Sequence, residues 1–317
     1  MKSLLVAGTV AAGLSASVFC LPVSAAGTAI NTGNIATLAT YDDTQKTYTL
    51  TSGEYELGED LNLSDDSRLV ITGNVSIDLN SHTIKSTHTP VVEVTNTGAF
   101  TLSGTGGING SLYTSGTLTI NGGTYGSMTG GGAININDGA NVTINDGTFQ
   151  ADASSAIYIM NYANATNIVI NGGTFTSNGD YGIQAEIEPT TSSIEIKGGT
   201  FTGAKAGLGI MGPSSVFKLS GGTFNSGASG VGAIEVTAPS GAATAETINT
   251  MLVSGYKYSD ATINTGTNYG MSAAFLTAKS VTVESKTTTP TTTNTTTGGS
   301  GTVNEGKATN DSKVSDK

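Results

Sequence analysis

Between Gly116 and Asn225 the chain repeats one short phrase five times. The copies are Leu118-Thr-Ile-Asn-Gly-Gly-Thr-Tyr125, Val142-Thr-Ile-Asn-Asp-Gly-Thr-Phe149, Ile168-Val-Ile-Asn-Gly-Gly-Thr-Phe175, Ile194-Glu-Ile-Lys-Gly-Gly-Thr-Phe201 and Phe217-Lys-Leu-Ser-Gly-Gly-Thr-Phe224. Their threonines, Thr124, Thr148, Thr174, Thr200 and Thr223, lie 24, 26, 26 and 23 residues apart. A period in the twenties belongs to stacked-repeat architectures, in which one unit cannot bury its own apolar face and neighbouring units do it together. Each phrase opens with strict alternation: Ile168 and Ile170 face one side of a strand and Val169 the other. Gly-Gly or Asp-Gly then marks a sharp turn in which positive φ is accessible. After the aromatic residue and a polar loop comes a second alternating run, as in Ile134-Asn-Ile136, Ile157-Tyr-Ile159, Ile183-Gln-Ala185, Leu208-Gly-Ile210 and Ile234-Glu-Val236. A helix is excluded here, because nothing recurs at three and four residues and Gly, Thr and Asn are poor helix formers.

Near-constant spacing puts equivalent positions on top of one another. Leu118, Val142, Ile168, Ile194 and Phe217 form one inner column, and Ile120, Ile144, Ile170, Ile196 and Leu219 a second. Tyr125, Phe149, Phe175, Phe201 and Phe224 form an aromatic column, and Asn121, Asn145 and Asn171 a short asparagine ladder. A coil of about two to three short strands, stacked at ~4.8 Å, accommodates these columns. The expected fold is therefore all-β: a single-stranded right-handed parallel β-helix, or solenoid.

The Gly-Gly-Thr-Phe units resemble the surface-protein branch of the pectin-lyase-like right-handed β-helix family. Asp78-Leu-Asn-Ser-His-Thr-Ile84 resembles the Asp-Leu-Asn-Gly-His-Thr-Ile turn common in the first coils of that family. The resemblance runs through residues 46–285. It implies the fold, with adhesins, tailspikes, lyases and hydrolases all compatible with it.

Residues 1–25 read as a secretory signal peptide, with Lys2 as the charged region, an apolar core from Leu4 to Phe19, and Val23-Ser24-Ala25 as the cleavage site. Removing them takes away Cys20, the only cysteine, and moves the net charge from −11 to −12 through loss of Lys2. The secreted chain then has no disulfide and no thiolate metal site. Residues 26–45 form a lead-in and residues 46–285 the β-helix, with a small-residue insertion from Ser240 to Thr250 that turns helical from Ala242. Met251-Leu-Val-Ser-Gly-Tyr256 reads as a degenerate last repeat and Val281-Thr-Val283 as a final strand. Residues 286–317 are a Thr-rich tail with nothing apolar to bury, expected to be disordered and to act as a stalk.

Acidity with a single arginine, Arg68, argues against nucleic acid or an anionic membrane as partner. The two histidines, His82 and His88, lie in the irregular early coils and read as structural, so no Ser-His-Asp or Cys-His set assembles. A lyase of the resembled family would use a basic residue with Ca²⁺ held by clustered aspartates; Arg68 lies far from the central coils and no coil carries such a cluster. Asp180, Glu186 and Glu188 share one coil, and solvated decoration is the simpler account of them. No catalytic residue, metal ligand or cofactor is assigned.

The second run offers a binding face. Stacking places Asn135, Tyr158, Gln184, Gly209 and Glu235 in one outward column, and Asn137, Met160, Glu186, Met211 and Thr237 in the next. Tyr158 and nearby Tyr162 can lay rings against sugars, while Asn135, Gln184, Glu186 and Glu235 can hydrogen-bond hydroxyls. The expectation is a secreted or cell-surface, non-catalytic adhesin or carbohydrate-binding module whose partner is a glycan or cell-surface polysaccharide. A polysaccharide lyase or glycoside hydrolase and a purely structural spacer are the competing readings.

Overall fold

The computed structural model describes residues 27–64, 66–127, 131–162, 164–188 and 190–286. The signal segment assigned to residues 1–25 lies outside them. So does the Thr-rich tail apart from Lys286, whose N–H donates to Gly255 O at 2.8 Å. The described residues form a right-handed parallel β-solenoid of about 8 turns.

A regular coil has three strands. In one coil they are Ile157–Asn161, Asn167–Ile170 and Thr174–Ser177; in the next, Ile183–Ile187, Ser193–Ile196 and Thr200–Gly203. Each pairs in parallel with its counterpart one coil away, and the register matches the phrase position for position. Val142 meets Ile168, Ile168 meets Ile194, and Ile194 meets Phe217. Both expected inner columns are buried, no residue in them exceeding 2% exposure. The outward neighbours Glu195 and Lys218 pair across coils, their charges 3.7 Å apart.

The aromatic column is a stack of nearly parallel rings inside the coil. Centroids from Tyr125 to Phe224 are 4.9, 4.6, 4.8 and 5.0 Å apart, and every ring in it is fully buried. Strand spacing sets this distance, so the rings stack at the pitch that the backbone hydrogen bonds impose. Tyr125 can begin the column because its hydroxyl donates to Gly122 O at 2.8 Å. Outside, the asparagine ladder is closed by amide bonds of 2.7 Å from Asn145 to Asn121 and from Asn171 to Asn145.

The two turn glycines have different reasons. The second, such as Gly173 at φ 106°, sits in the left-handed region. The first is a matter of space: a Cβ on Gly198 would lie 2.5 Å from Asn171 O. In one turn Asp146 fills the first position, and its Oδ1 accepts from the N–H of Gly147 at 2.8 Å. In the early turn that resembles the family, Ser81 stands at φ 68° where the family has glycine, and its hydroxyl pairs with Thr105 at 2.7 Å.

Both ends of the stack are covered, as open strand edges require. At the start, the described part of the lead-in, residues 27–45, joins the solenoid: Thr28–Ile30 pairs in parallel with Tyr55–Leu57, and Thr40–Asp42 pairs antiparallel with the next strand. Ile35 of a one-turn helix, α1 (Ile35–Leu38), is buried in the core there. At the other end the chain reverses direction. Met271–Leu276 lies antiparallel on Ile234–Ala238, and Ser280–Ser285 lies antiparallel on the last aromatic strand. Thus Val281-Thr-Val283 is the expected strand, running opposite to the stack. Leu252 bridges Leu219 in parallel, the remnant of a further repeat. Helix α2 (Ala245–Asn249) starts later than Ala242, because Thr244 is extended and its N–H donates to Thr247 Oγ1 at 2.9 Å. Among the described residues no helix is long and apolar enough to cross a membrane.

Candidate functional site

The second-run strands stack as the alternation requires. Ile134, Ile157, Ile183, Leu208 and Ile234 point inward and are fully buried. Between them, Asn135, Tyr158, Gln184, Gly209 and Glu235 form one continuous outward column, which Tyr113 and Glu93 extend toward the first coils. Met160, Glu186, Met211 and Thr237 form the neighbouring column, and Asn137 lies just past its strand.

Outward is not the same as open. Asn135 is 5% exposed and donates to Gly132 O at 3.2 Å; Glu235 is 3% exposed. At the early end, Glu93 is engaged by Arg68 at 3.0 Å. Tyr158, Gln184 and Glu186 are half-buried, and Tyr162 is 46% exposed. The open part of the face is therefore centred on Tyr158, Tyr162, Gln184 and Glu186.

A hydrogen-bond chain joins these residues across two coils. Ser155 Oγ donates to Gln184 Oε1 at 2.9 Å, Gln184 Nε2 donates to Glu186 Oε1 at 3.2 Å, and the Tyr162 hydroxyl donates to Glu186 Oε2. The Tyr162 N–H is fixed by Asp138 at 2.7 Å. The hydrogen bond to Glu186, together with partial burial, pushes the Tyr162 phenol up to about 12. Burial and then Glu186 raise Tyr158 as well. Both tyrosines therefore keep their protons and present neutral rings beside an oriented carboxylate.

The far end of the column is closed by groups that alternation alone does not point to. The ring of Tyr181 lies over Gly209, where a Cβ would come within 2.4 Å of it. The Tyr181 hydroxyl donates to Glu235 Oε2 at 3.1 Å, Thr237 donates to Oε1 at 3.3 Å, and the amide of Asn268 also reaches Oε1. Asn268 belongs to the reversed hairpin, whose two-residue turn, Tyr269-Gly270, has positive φ at both positions. Lys205 sits beneath this tip, 2.8 Å from Asp180 and 3.0 Å from the Tyr269 hydroxyl, with its ammonium 5.4 Å from the Tyr181 ring centre. Burial raises the Glu235 carboxyl above the usual carboxylate range, against the opposing pull of its three donors and Lys205. A cleft of only about 20 Å³ remains between these groups.

The chain matches no family model, and no curated protein or solved structure matches it.

The remaining sequence candidates are distributed elsewhere. His88 accepts from Arg68 at 3.2 Å and donates to Pro90 O at 2.8 Å, while His82 lies 3.8 Å from Asp60; both are in the early coils. Among the described residues no three His, Cys, Asp or Glu side chains converge as metal ligands. What converges is aromatic surface, amide, carboxylate and hydroxyl, the set that recognises polyols. Tyr181, Lys205, Asn268 and Tyr269 escape a column-by-column reading. The one signal was Gly209, a gap in a column of large side chains that another group must fill.

Proposed function

We propose that this protein is a secreted or cell-surface β-helix that binds carbohydrate without transforming it, acting as an adhesin or glycan-binding module. The observation that carries this reading is the Ser155–Gln184–Glu186–Tyr162 hydrogen-bond chain beside the half-buried ring of Tyr158. It holds a carboxylate and an amide in fixed orientation next to aromatic surface, so little side-chain entropy is lost on binding. The solenoid scaffold makes the face rigid and extended, which suits a polymer ligand. Strong acidity and scarce cations count against nucleic acid as the partner.

The test is a glycan array with the purified protein, followed by titration of Tyr158→Ala and Tyr162→Ala. Each substitution is expected to weaken binding by ~1–2 kcal/mol, with a native circular dichroism spectrum, because aromatic contacts dominate such sites. A protein that binds no glycan favours the spacer. The hydrolase reading draws on Glu235, whose raised proton affinity is what an acid catalyst needs, with Glu186 as a second carboxylate on the same ladder. Against it stands the sealing of Glu235 beneath Tyr181 and Asn268. New reducing ends released by the wild type, and lost in Glu186→Gln, would decide for the enzyme.

A further inference from the structure

Beside the tyrosine face lies a groove with an accessible volume of about 710 Å³. It opens where three neighbouring coils leave the second-run ladder, after Ile187, Met211 and Ala238, and α2 forms part of its wall. The volume falls within the ~300–1,000 Å³ usual for small-molecule sites. Pro213 and Pro239 give rigid apolar surface; Ser214, Thr244, Thr247 and Thr250 are tied into hydrogen bonds of their own, while Thr190, Ser215 and Ser240 are exposed on the lining.

Two carboxylates, Glu188 and Glu246, line this groove, and both are exposed. Neither forms an ion pair among the described residues, and no Lys, Arg or His is among the described lining residues. Of the lysines on these coils, Lys205 pairs with Asp180, and Lys197 and Lys218 pair with Glu195. The groove begins where the strand of the tyrosine face ends: Ile187, its last residue, and Glu188, two positions past Glu186, are among the lining residues. Glu188 follows Glu186 on the same side of the chain, and its charge acts on the Tyr162 phenol.

We propose that this groove is a second subsite of the glycan face and that it takes a sugar bearing a free, protonated primary amine. The proposal rests on the carbohydrate-binding reading. A polymer crossing Tyr162 enters the groove beside Glu188. There its ring hydroxyls meet serine and threonine hydroxyls, and its ammonium groups neutralise Glu188 and Glu246. A polyuronate would bring its own carboxylates against two uncompensated ones. A basic peptide would satisfy the charges as well, and the oligolysine arm of the test separates it from the sugar.

The experiment is calorimetric titration in mildly acidic, low-salt buffer with four probes: a glucosamine hexamer, its fully N-acetylated counterpart, an oligogalacturonate and oligolysine. The glucosamine hexamer should bind about tenfold tighter than the acetylated one, the scale set by two exposed charge contacts. That preference should vanish in high salt and in the Glu188→Gln/Glu246→Gln double variant, whose affinity for the acetylated hexamer stays unchanged. Equal binding of both hexamers, or preference for oligogalacturonate, overturns the amine subsite and leaves the glycan face standing. Oligolysine binding tighter than glucosamine overturns it in favour of a peptide site. No binding of any saccharide overturns both readings together.

Discussion

The Tyr181 ring crosses the backbone of Gly209 so that its hydroxyl binds the carboxylate of Glu235 at 3.1 Å, two coils further along the stack. The missing side chain of one coil is replaced by a side chain from its neighbour. This contact ends the open tyrosine face and seals Glu235, so it is the natural place to begin testing the structure.

A methyl group at position 209 would collide with the Tyr181 ring. Gly209→Ala should therefore cost about 1–3 kcal/mol in urea unfolding, as overpacking does. In a Tyr181→Ala background the same change should cost far less, because the clashing partner is gone. An equal cost in both backgrounds would show that the ring does not lie over Gly209.

Glu235 makes stability depend on pH. Its carboxyl is raised above the ordinary value of 4.5 by burial. Unfolded, it titrates at the ordinary value, so between the two values the folded state holds more protons. The contribution of this group to stability therefore falls as pH rises from about 4.5 through the raised folded value, and is flat beyond. Chemical unfolding of wild type and Glu235→Gln across that range should show the difference between them changing in this direction. A difference independent of pH would place the carboxylate in a solvated environment.

Phe175 stands in the middle of the ring stack, fully buried between Phe149 and Phe201. Phe175→Ala should cost ~3–5 kcal/mol from lost burial and the cavity left behind. Urea unfolding reads this directly, and a change below about 1 kcal/mol would be incompatible with a core position.

Gly173 is held at φ 106°, and a Cβ there would also lie 3.0 Å from Gly147 O. Gly173→Ala should destabilise by about 1–2 kcal/mol, the cost of left-handed backbone for an L-residue. Gly126 lacks positive φ and has open space where a Cβ would go, so Gly126→Ala serves as the control and should change the melting temperature little. Matching losses for the two substitutions would argue against the turn geometry.

Much of this architecture follows from the sequence alone, because the signal is local and repeated. Alternation sets which side of a strand Ile168 and Val169 take, and a constant period sets which residue stacks on which. The ring column, the inner columns, the asparagine ladder and the outward column through Tyr158 and Gln184 are all consequences of those two facts. Tertiary structure alone decided three things. It decided strand direction at the end of the stack, since alternation in Met271–Leu276 is the same whether the strand runs parallel or antiparallel. It decided exposure: Asn135 and Glu235 point outward like Tyr158, yet Glu235 is covered by Tyr181 from an adjoining loop and Asn268 from a distant hairpin. And it decided the groove at Glu188 and Glu246, which lie 58 positions apart in the chain and line one wall system only because α2 folds back beside the coil ends. Periodicity reports on neighbours one coil away; loops that leave the coil obey no period, and where they land is settled by packing.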